Sequence, residues 1–317
     1  MFTKNRIELG CNKELICPNE QLPCGIAAPA LPSMNLSSLQ TAFGRPRNPL
    51  GNRFVYAVIS QRAHGLSIGL NLNPDKQCNF SCAYCEVNRD TPVRERKVDI
   101  KILAEELRHL LRLTNSGQLR TLEWFRHLPA ELLQLKEVAL SGDGEPTLCV
   151  DFEEVVRKVL QVRSRGKLPF FKVVLITNTA GLDFPEVARG IKLLTTEDEI
   201  WAKLDAGTQE YMDRVNRSQV PLWRVLGNIL ALGKQRPIII QSLFPLINGQ
   251  KPGRQEIDQY VQRLKELKTA GAQIKLVQVY SAHRPPHRHH CEHLPLKTLS
   301  LIASRVREVA GLRAEVF

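Results

Sequence analysis

The sequence predicts a parallel α/β fold, and three observations predict it. Strand-length apolar runs recur six times with helical stretches between them. One of these runs, Phe171 to Thr177, is apolar without alternation, as a strand buried on both faces should be. Polar residues gather where the runs end, which is where parallel α/β folds bind their ligands. Strands that alternate with helices require parallel pairing and right-handed crossovers. Such a chain either curls into a partial (β/α)₆ barrel or lies open as a doubly wound sheet. The pattern does not separate the two.

Taken in order, residues 1 to 50 carry no amphipathic period and several prolines, and read as an irregular N-terminal extension to a core of residues 51–317. Phe54 to Ser60 reads as an edge strand. The first of the six strands, Leu66 to Leu72, alternates and runs past Asn73-Pro74 into a cysteine-rich loop. Gly65 and Gly69 mark a bend or a close backbone approach. Leu103, Leu107, Leu110 and Leu111 share a helix face. After Thr114 to Gly117 a second short helix is expected over residues 119–133. The second strand, Glu137 to Leu140, ends in Ser141-Gly142-Asp143-Gly144-Glu145-Pro146-Thr147. Phe152, Val155, Val156, Val159 and Leu160 give a helical stripe, and a short helix follows the third strand at 185–194. Strands at 200–205, 238–244 and 274–280 alternate with helices at 222–232, 257–267 and 299–309, and Gly271 marks a helix stop.

Composition narrows the class. The 317 residues are 43% hydrophobic and 24% charged, ordinary for a globular chain with a sizeable core. No apolar run is long enough for a membrane span, and no basic-then-apolar signal pattern opens the chain. Eight cysteines without such a signal point to a reducing, cytoplasmic setting and to metal ligation rather than disulfides. A net charge of +12 favours polyanionic partners such as RNA, although a basic surface also serves solubility.

Cys78, Cys82 and Cys85 stand at C-x₃-C-x₂-C spacing. Three thiols on one loop hold three corners of an iron–sulfur cluster and leave one iron for a small molecule, where four would close it. A three-ligand zinc site or three incidental thiols are the bland readings; no second C-x-x-C completes a zinc motif. The spacing, with Tyr84 before the third cysteine, resembles the radical S-adenosylmethionine (SAM) superfamily. That resemblance decides for the partial (β/α)₆ barrel. It implies a [4Fe-4S] cluster on Cys78, Cys82 and Cys85 whose open iron chelates SAM, reductive cleavage to a 5′-deoxyadenosyl radical, and hydrogen abstraction from a substrate. It also implies an electron donor such as flavodoxin or ferredoxin.

The same resemblance distributes roles over the strand ends. Asp143-Gly144-Glu145 stands where the superfamily has a Gly-Gly-Glu turn that meets the SAM amino group; an ordinary βα turn is the alternative. Asn178, Lys203 and Asp205 stand where ribose hydroxyls and the SAM carboxylate are held, as a carboxylate and an ammonium can do. A structural Lys203–Asp205 pair competes with that reading. Gln241 is a further ribose candidate. Tyr84 and Tyr280 are candidates for the adenine pocket, or else plain core.

The stretches Ile59 to Asn71, Ser141 to Thr147, Lys203 to Thr208 and Arg214 to Arg217 resemble the Fe-S oxidoreductases related to wyosine-tRNA synthases. This makes tRNA a candidate partner. Wyosine synthases hold a second cluster on widely spaced N-terminal cysteines, whereas Cys11, Cys17 and Cys24 lie close together and read more simply as incidental thiols; a translation start at Met34 is an alternative reading that leaves them out of the chain. His283, His287, His289, His290, Cys291 and His293 share a loop with Arg284 and Arg288, read as a basic loop suited to phosphates rather than a metal site. Two other functions stay open: modification of a protein or peptide, and a non-catalytic Fe-S module. The second would need no SAM cradle.

Overall fold

The structure, a computed structural model, describes residues 50–93, 95–165, 168–282, 286 and 291–317. The N-terminal extension with Cys11, Cys17 and Cys24, and most of the basic loop from His283 to His290, lie outside the described residues. All described residues belong to one compact unit.

Eight strands form one sheet in the order β1 (Val55–Ser60), β2 (Gly65–Asn71), β3 (Leu135–Ser141), β4 (Lys172–Thr177), β5 (Glu199–Lys203), β6 (Ile238–Leu243), β8 (Ile274–Tyr280) and β10 (Ala314–Val316). Only β1 and β2 pair antiparallel; every other neighbour in the sheet is parallel. The six expected strands are β2 to β6 and β8. The edges β1 and β10 do not pair with each other. They nevertheless meet, because the ring of His64 in the β1–β2 turn lies 5.8 Å from that of Phe317 just after β10. An open sheet whose two margins touch has curled into an incomplete barrel.

Helices cover the outer face: α1 (Ile100–Asn115), α2 (Phe152–Arg165), α3 (Pro185–Lys192), α4 (Gln209–Val215), α5 (Leu222–Gln235), α6 (Arg254–Thr269) and α7 (Leu296–Arg305). Several of their ends carry recognisable caps or stops. The Asp99 carboxylate caps α1 by accepting from Lys101 N and Ile102 N, and Thr208 caps α4 through Tyr211 N. Gly271, at φ 97°, ends α6 in the left-handed region that glycine enters without strain. The buried face of α1 is Leu103, Ala104, Leu107, Leu110 and Leu111, and that of α2 is Phe152, Val155, Val156, Val159 and Val162.

Four elements differ from expectation. Residues 119–133 form three separate 3₁₀ turns, at Gln118–Thr121, Glu123–Phe125 and Ala130–Leu133, instead of a helix. Leu122 and Pro129 take extended conformations between them, and extended residues cannot pass an i→i−4 ladder along. The short α4 was not anticipated, nor was β10, whose three residues are too few for a periodicity. β7 (Pro245–Ile247) pairs antiparallel with β9 (Cys291–His293) outside the main sheet, so the end of the His/Cys stretch is a strand.

Alternation along the strands gives the barrel two different faces. Ile68, Leu70, Val138, Leu140, Val173, Leu175, Ile200 and Ile240 join the large core beneath the helices. Val174, Trp201 and Ile239 form a separate small cluster on the other face, with Ile176 and Leu276. That face is the lumen, and the residues sharing its register include Ser67, Glu137, Lys203, Gln241, Gln278 and Tyr280.

Candidate active site

The cysteine loop follows β2 and hangs between two supports. On one side Glu145 N donates to Gln77 O at 2.9 Å. Gly144 lies so close there that a Cβ would sit 1.9 Å from the same carbonyl, so only glycine allows the contact. On the other side Ser81 N donates to Asn216 O (3.0 Å), Ala83 N to Val215 O (2.7 Å) and Gln219 N to Asn79 O (3.0 Å). The loop is thereby held by backbone bonds to the turn after β3 and to the segment after α4. Both belong to stretches the sequence singled out.

Cys78, Cys82 and Cys85 are all free thiols, half-buried at the carboxyl end of the barrel. Burial pushes the Cys82 thiol up to about 12, helped by the Asp205 charge, and raises that of Cys78, helped by Glu145. Metal ligation must displace these protons, so it is coupled to pH. N–H donors already point at the sulfurs. Asn216 Nδ2 lies 3.5 Å from Cys82 Sγ and Asn178 Nδ2 lies 3.8 Å from Cys78 Sγ. The Arg89 guanidinium lies beside Cys78 and Cys85; burial works against its charge, but the two sulfurs outweigh it and hold the guanidinium above its usual range. Such donors stabilise thiolates and shift the potential of a cluster bound to them. The set fits an anionic thiolate-held cluster. Among the described residues no three His, Cys, Asp or Glu are gathered as around a single ion, and in a [4Fe-4S] cluster each thiolate meets its own iron.

Glu145, expected against SAM, sits inside the protein. Its Oε1 accepts from Thr147 N (3.1 Å), Thr147 Oγ1 (2.8 Å) and Thr177 Oγ1 (2.5 Å), and its Oε2 from Asn178 N (2.7 Å). Burial still raises its carboxyl above the ordinary value. The side chain therefore locks the β3 turn to the end of β4, and the surface presented to a ligand is the backbone of residues 143–145. Asp143 is pinned by Asn71, whose Nδ2 donates to Asp143 Oδ2 at 2.9 Å. Asn178 Nδ2 donates to Asn79 Oδ1 at 2.7 Å and so ties β4 to the cysteine loop.

The structure joins the remaining candidates in one chain. Tyr84 OH donates to Asp205 Oδ2, which also accepts from Asn216 Nδ2 at 2.8 Å, while Asp205 Oδ1 accepts from Leu243 N at 2.8 Å. Lys203 Nζ lies 3.5 Å from Asp205 Oδ1 and donates to Tyr280 OH at 3.0 Å. Tyr280 OH donates to Gln241 Oε1 (3.3 Å), and Gln241 Nε2 to Gln278 Oε1 (3.1 Å). Burial works against the Lys203 charge, but Asp205 outweighs it and holds the ammonium above its usual range. Lys203 and Asp205 thus form an ion pair at the mouth of the barrel, and Tyr84 links the buried Asp205 to the cysteine loop. Gln241, fully enclosed, faces the lumen rather than the rim.

Sequence reasoning missed three residues. Asn73 is buried beside Gly144, and its Oδ1 has no hydrogen-bond partner among the described residues. Asn216 braces Cys82, Tyr84 and Asp205 together. Arg89 follows the loop by only four residues. Asn216 lay in a stretch singled out by resemblance, but without a role; residue type gave no signal for Asn73 or Arg89, and only the fold brings the three to the thiols.

A three-cysteine loop at the mouth of an incomplete α/β barrel defines the class. Residues 72–261, more than half the chain, match the model of the Radical SAM superfamily, and the chain belongs to that superfamily. Its members use a [4Fe-4S] cluster and S-adenosylmethionine and need an electron donor. The chain is 24% identical over 236 residues to a UPF0026 protein of Helicobacter pylori (strain J99 / ATCC 700824), covering 73% of this chain and 68% of that one. It is similar in fold to a radical SAM methyltransferase from Sphaerobacter thermophilus, with a TM-score of 0.58 at 11% identity, over 83% of this chain and 68% of that one. A structure of TYW1, a wyosine synthase, with a lysine-pyruvate adduct bound is also similar, with a TM-score of 0.49 at 17% identity, covering 78% and 74%. The expected superfamily and fold are borne out. Among the described residues no helix is long and apolar enough to cross a membrane.

Proposed function

We propose that Cys78, Cys82 and Cys85 hold the cluster and that the mouth above Lys203 and Asp205 holds SAM. The observation that carries this reading is the suspension of the cysteine loop between the Gly144 turn and Asn216, with amide donors aimed at two of its sulfurs. When bound, the cluster with SAM supplies a 5′-deoxyadenosyl radical for hydrogen abstraction. The chain's own residues do the rest. The backbone of 143–145 and the free Asn73 Oδ1 accept from the SAM ammonium. Tyr84 offers a ring face beside the Lys203 ammonium, 5.0 Å from its centroid. The ion pair of Lys203 and Asp205 fixes the wall against which ribose and carboxylate settle. The polar lumen below is the reaction chamber, closed to water by the curled sheet.

The substrate is proposed to be a tRNA nucleoside, supported by the net charge of +12. The setting is proposed to be cytoplasmic, with flavodoxin or ferredoxin as donor. Anaerobically reconstituted protein with dithionite should turn SAM into 5′-deoxyadenosine and methionine. No 5′-deoxyadenosine from a chain that has bound its iron overturns the catalytic reading. For the partner, tRNA affinity at low salt should fall steeply as salt rises; absent binding at low salt overturns the tRNA assignment.

A further inference from the structure

Below the rim chemistry, the lumen holds two charged groups that the proposed mechanism does not use. Glu137 stands on the lumen face of β3, 1% exposed. Ser67 Oγ donates to its Oε1 at 3.0 Å, but its Oε2 is buried with no hydrogen-bond partner among the described residues. Leaving a carboxylate oxygen unpaired in the interior is costly, on the order of 1–3 kcal/mol or more. Arg62 reaches into the same space from the β1–β2 turn. Its guanidinium lies 4.6 Å from the centroid of Tyr280 and 5.9 Å from that of Trp201. Those two stacked contacts are its interactions among the described residues; no ion pair or hydrogen bond joins them. The Arg62 charge also acts on Glu137, yet the two form no salt bridge.

A guanidinium has five N–H donors in a fork that matches carboxylate and phosphate oxygens. Its position over the Tyr280 and Trp201 rings engages the guanidinium by cation–π contact and leaves its N–H donors without an acceptor among the described residues. A buried carboxylate oxygen accepts an N–H, best a charged one. The same sheet face carries Val174, Trp201 and Ile239, with Ile176 and Leu276 packed against them, an apolar surface that suits a ligand's carbon framework. Elsewhere on this sheet face charge is satisfied within the protein: Lys172 Nζ meets Glu199 Oε2 at 2.8 Å, and Trp201 Nε1 donates to the same oxygen at 3.0 Å. Arg62 and Glu137 form no such ion pair among the described residues, although the Lys172 charge, like that of Arg62, also acts on Glu137.

We propose that the lumen floor selects the substrate: it takes a molecule, or the part of one that enters the barrel, carrying an oxyanion for Arg62 and an N–H donor for the free oxygen of Glu137. The inference rests on the lumen being the reaction chamber. The oxyanion is a phosphate, as on a nucleotide, or a carboxylate, as on an amino acid, and small probes separate the two sources.

The measurement uses Trp201 as reporter. Trp124 and Trp223 are exposed, so the Trp124→Phe/Trp223→Phe chain leaves Trp201 as its one tryptophan. Its fluorescence is titrated with inorganic phosphate, O-phosphoethanolamine, acetate and glycine, on the chain before and after iron loading. A cluster failure then shows in iron content and a floor failure in binding. Saturable binding should appear with the phosphate pair or the carboxylate pair, and should weaken at least tenfold in Arg62→Gln and less in Arg62→Lys. The amine-bearing probe of the favoured pair should bind severalfold tighter than its partner, and Glu137→Gln should erase that advantage. Both variants are checked for native unfolding temperature; should Arg62→Gln misfold, the amine preference and its loss in Glu137→Gln decide. No saturable binding by any probe, equal binding in a folded Arg62→Gln, or an amine preference that survives Glu137→Gln overturns the proposal.

Discussion

The two faces of one sheet are built on opposite principles. Outward, Ile68, Leu70, Val138, Leu140, Val173 and Leu175 are fully buried in the large apolar core. Inward, the lumen face of the same sheet carries Ser67, Glu137, Gln241 and Gln278, buried almost as deeply but polar, and the less buried Lys203. The outer face gains stability from area removed from water, about 25 cal/mol per Å². The inner face gives that up and must satisfy each polar atom individually. The difference teaches that the outer face makes the fold and the inner one is retained for chemistry. Each prediction below attacks one face and leaves the other to report.

The largest effect is expected at the rim. Replacing Cys78, Cys82 and Cys85 by Ala together should lower iron from roughly four per reconstituted chain to below about one. The thiols are half-buried and lie outside the helix-covered layer, so far-ultraviolet circular dichroism should stay native. Iron retained at the parent level would break the assignment of the cluster to this loop. A stoichiometry near eight, lowered only by changing Cys11, Cys17 and Cys24, would instead place a second cluster on the N-terminal trio.

Next comes the opposite cut. Leu140→Ala removes a fully buried side chain from the outer face and should cost about 2–5 kcal/mol in denaturant unfolding. Iron binding per folded molecule should stay within about twofold, since Leu140 points away from the lumen. A variant with parent stability but lost iron would show that the two faces are not separable.

Gly144→Ala sharpens the comparison at the boundary. The added methyl would overlap Gln77 O, a backbone atom that moves only with the cysteine loop. SAM affinity should drop at least tenfold by equilibrium dialysis, with thermal unfolding changed by a few degrees at most. Unchanged SAM affinity would return the Asp143-Gly144-Glu145 turn to an ordinary βα connection.

The outer face was legible in the sequence because apolar periodicity is a local signal. Phe171 to Thr177 and the stripe from Phe152 to Leu160 each announce an element within a dozen residues. The three cysteines were legible for the same reason: their spacing is the motif. Partnership was not legible. Nothing near Asp205 in the chain says that its carboxylate takes Tyr84, Asn216 and the Leu243 amide instead of lying open to a ribose. Glu145 reads as a ligand in its turn and proves to be a bolt across to Thr177 and Asn178. The roles of Arg62, Asn73 and Glu137 were not legible either, since a single polar residue becomes informative only when the curled sheet shows what it faces. Residues 119–133 were misread because Leu119, Leu122, Leu128 and Leu132 keep an approximate helical spacing while the backbone at Leu122 and Pro129 does not.

The smallest effect is the most discriminating, because it asks what an inner-face charge costs. Burial raises the Glu137 carboxyl from its ordinary 4.5 to about 7, the pull of Lys172 and the Ser67 bond notwithstanding. The folded state therefore binds this proton more tightly than the unfolded chain does. Its contribution to stability is fully present below about pH 4.5 and is lost as pH rises through about 7. Complete development of that shift corresponds to about 3 kcal/mol as an upper value. Glu137→Gln keeps the shape and carries no charge, so the variant should match the parent near pH 4.5 and exceed it by about 1–3 kcal/mol near pH 8. Urea unfolding at the two pH values reads the difference directly. A gap that is constant with pH would mean Glu137 is solvated or paired in solution and that the lumen is no drier than the surface. A gap that opens with pH, and closes when a bound amine-bearing probe supplies the missing donor to Oε2, would show that the inner face gives up stability at the position where a substrate restores it.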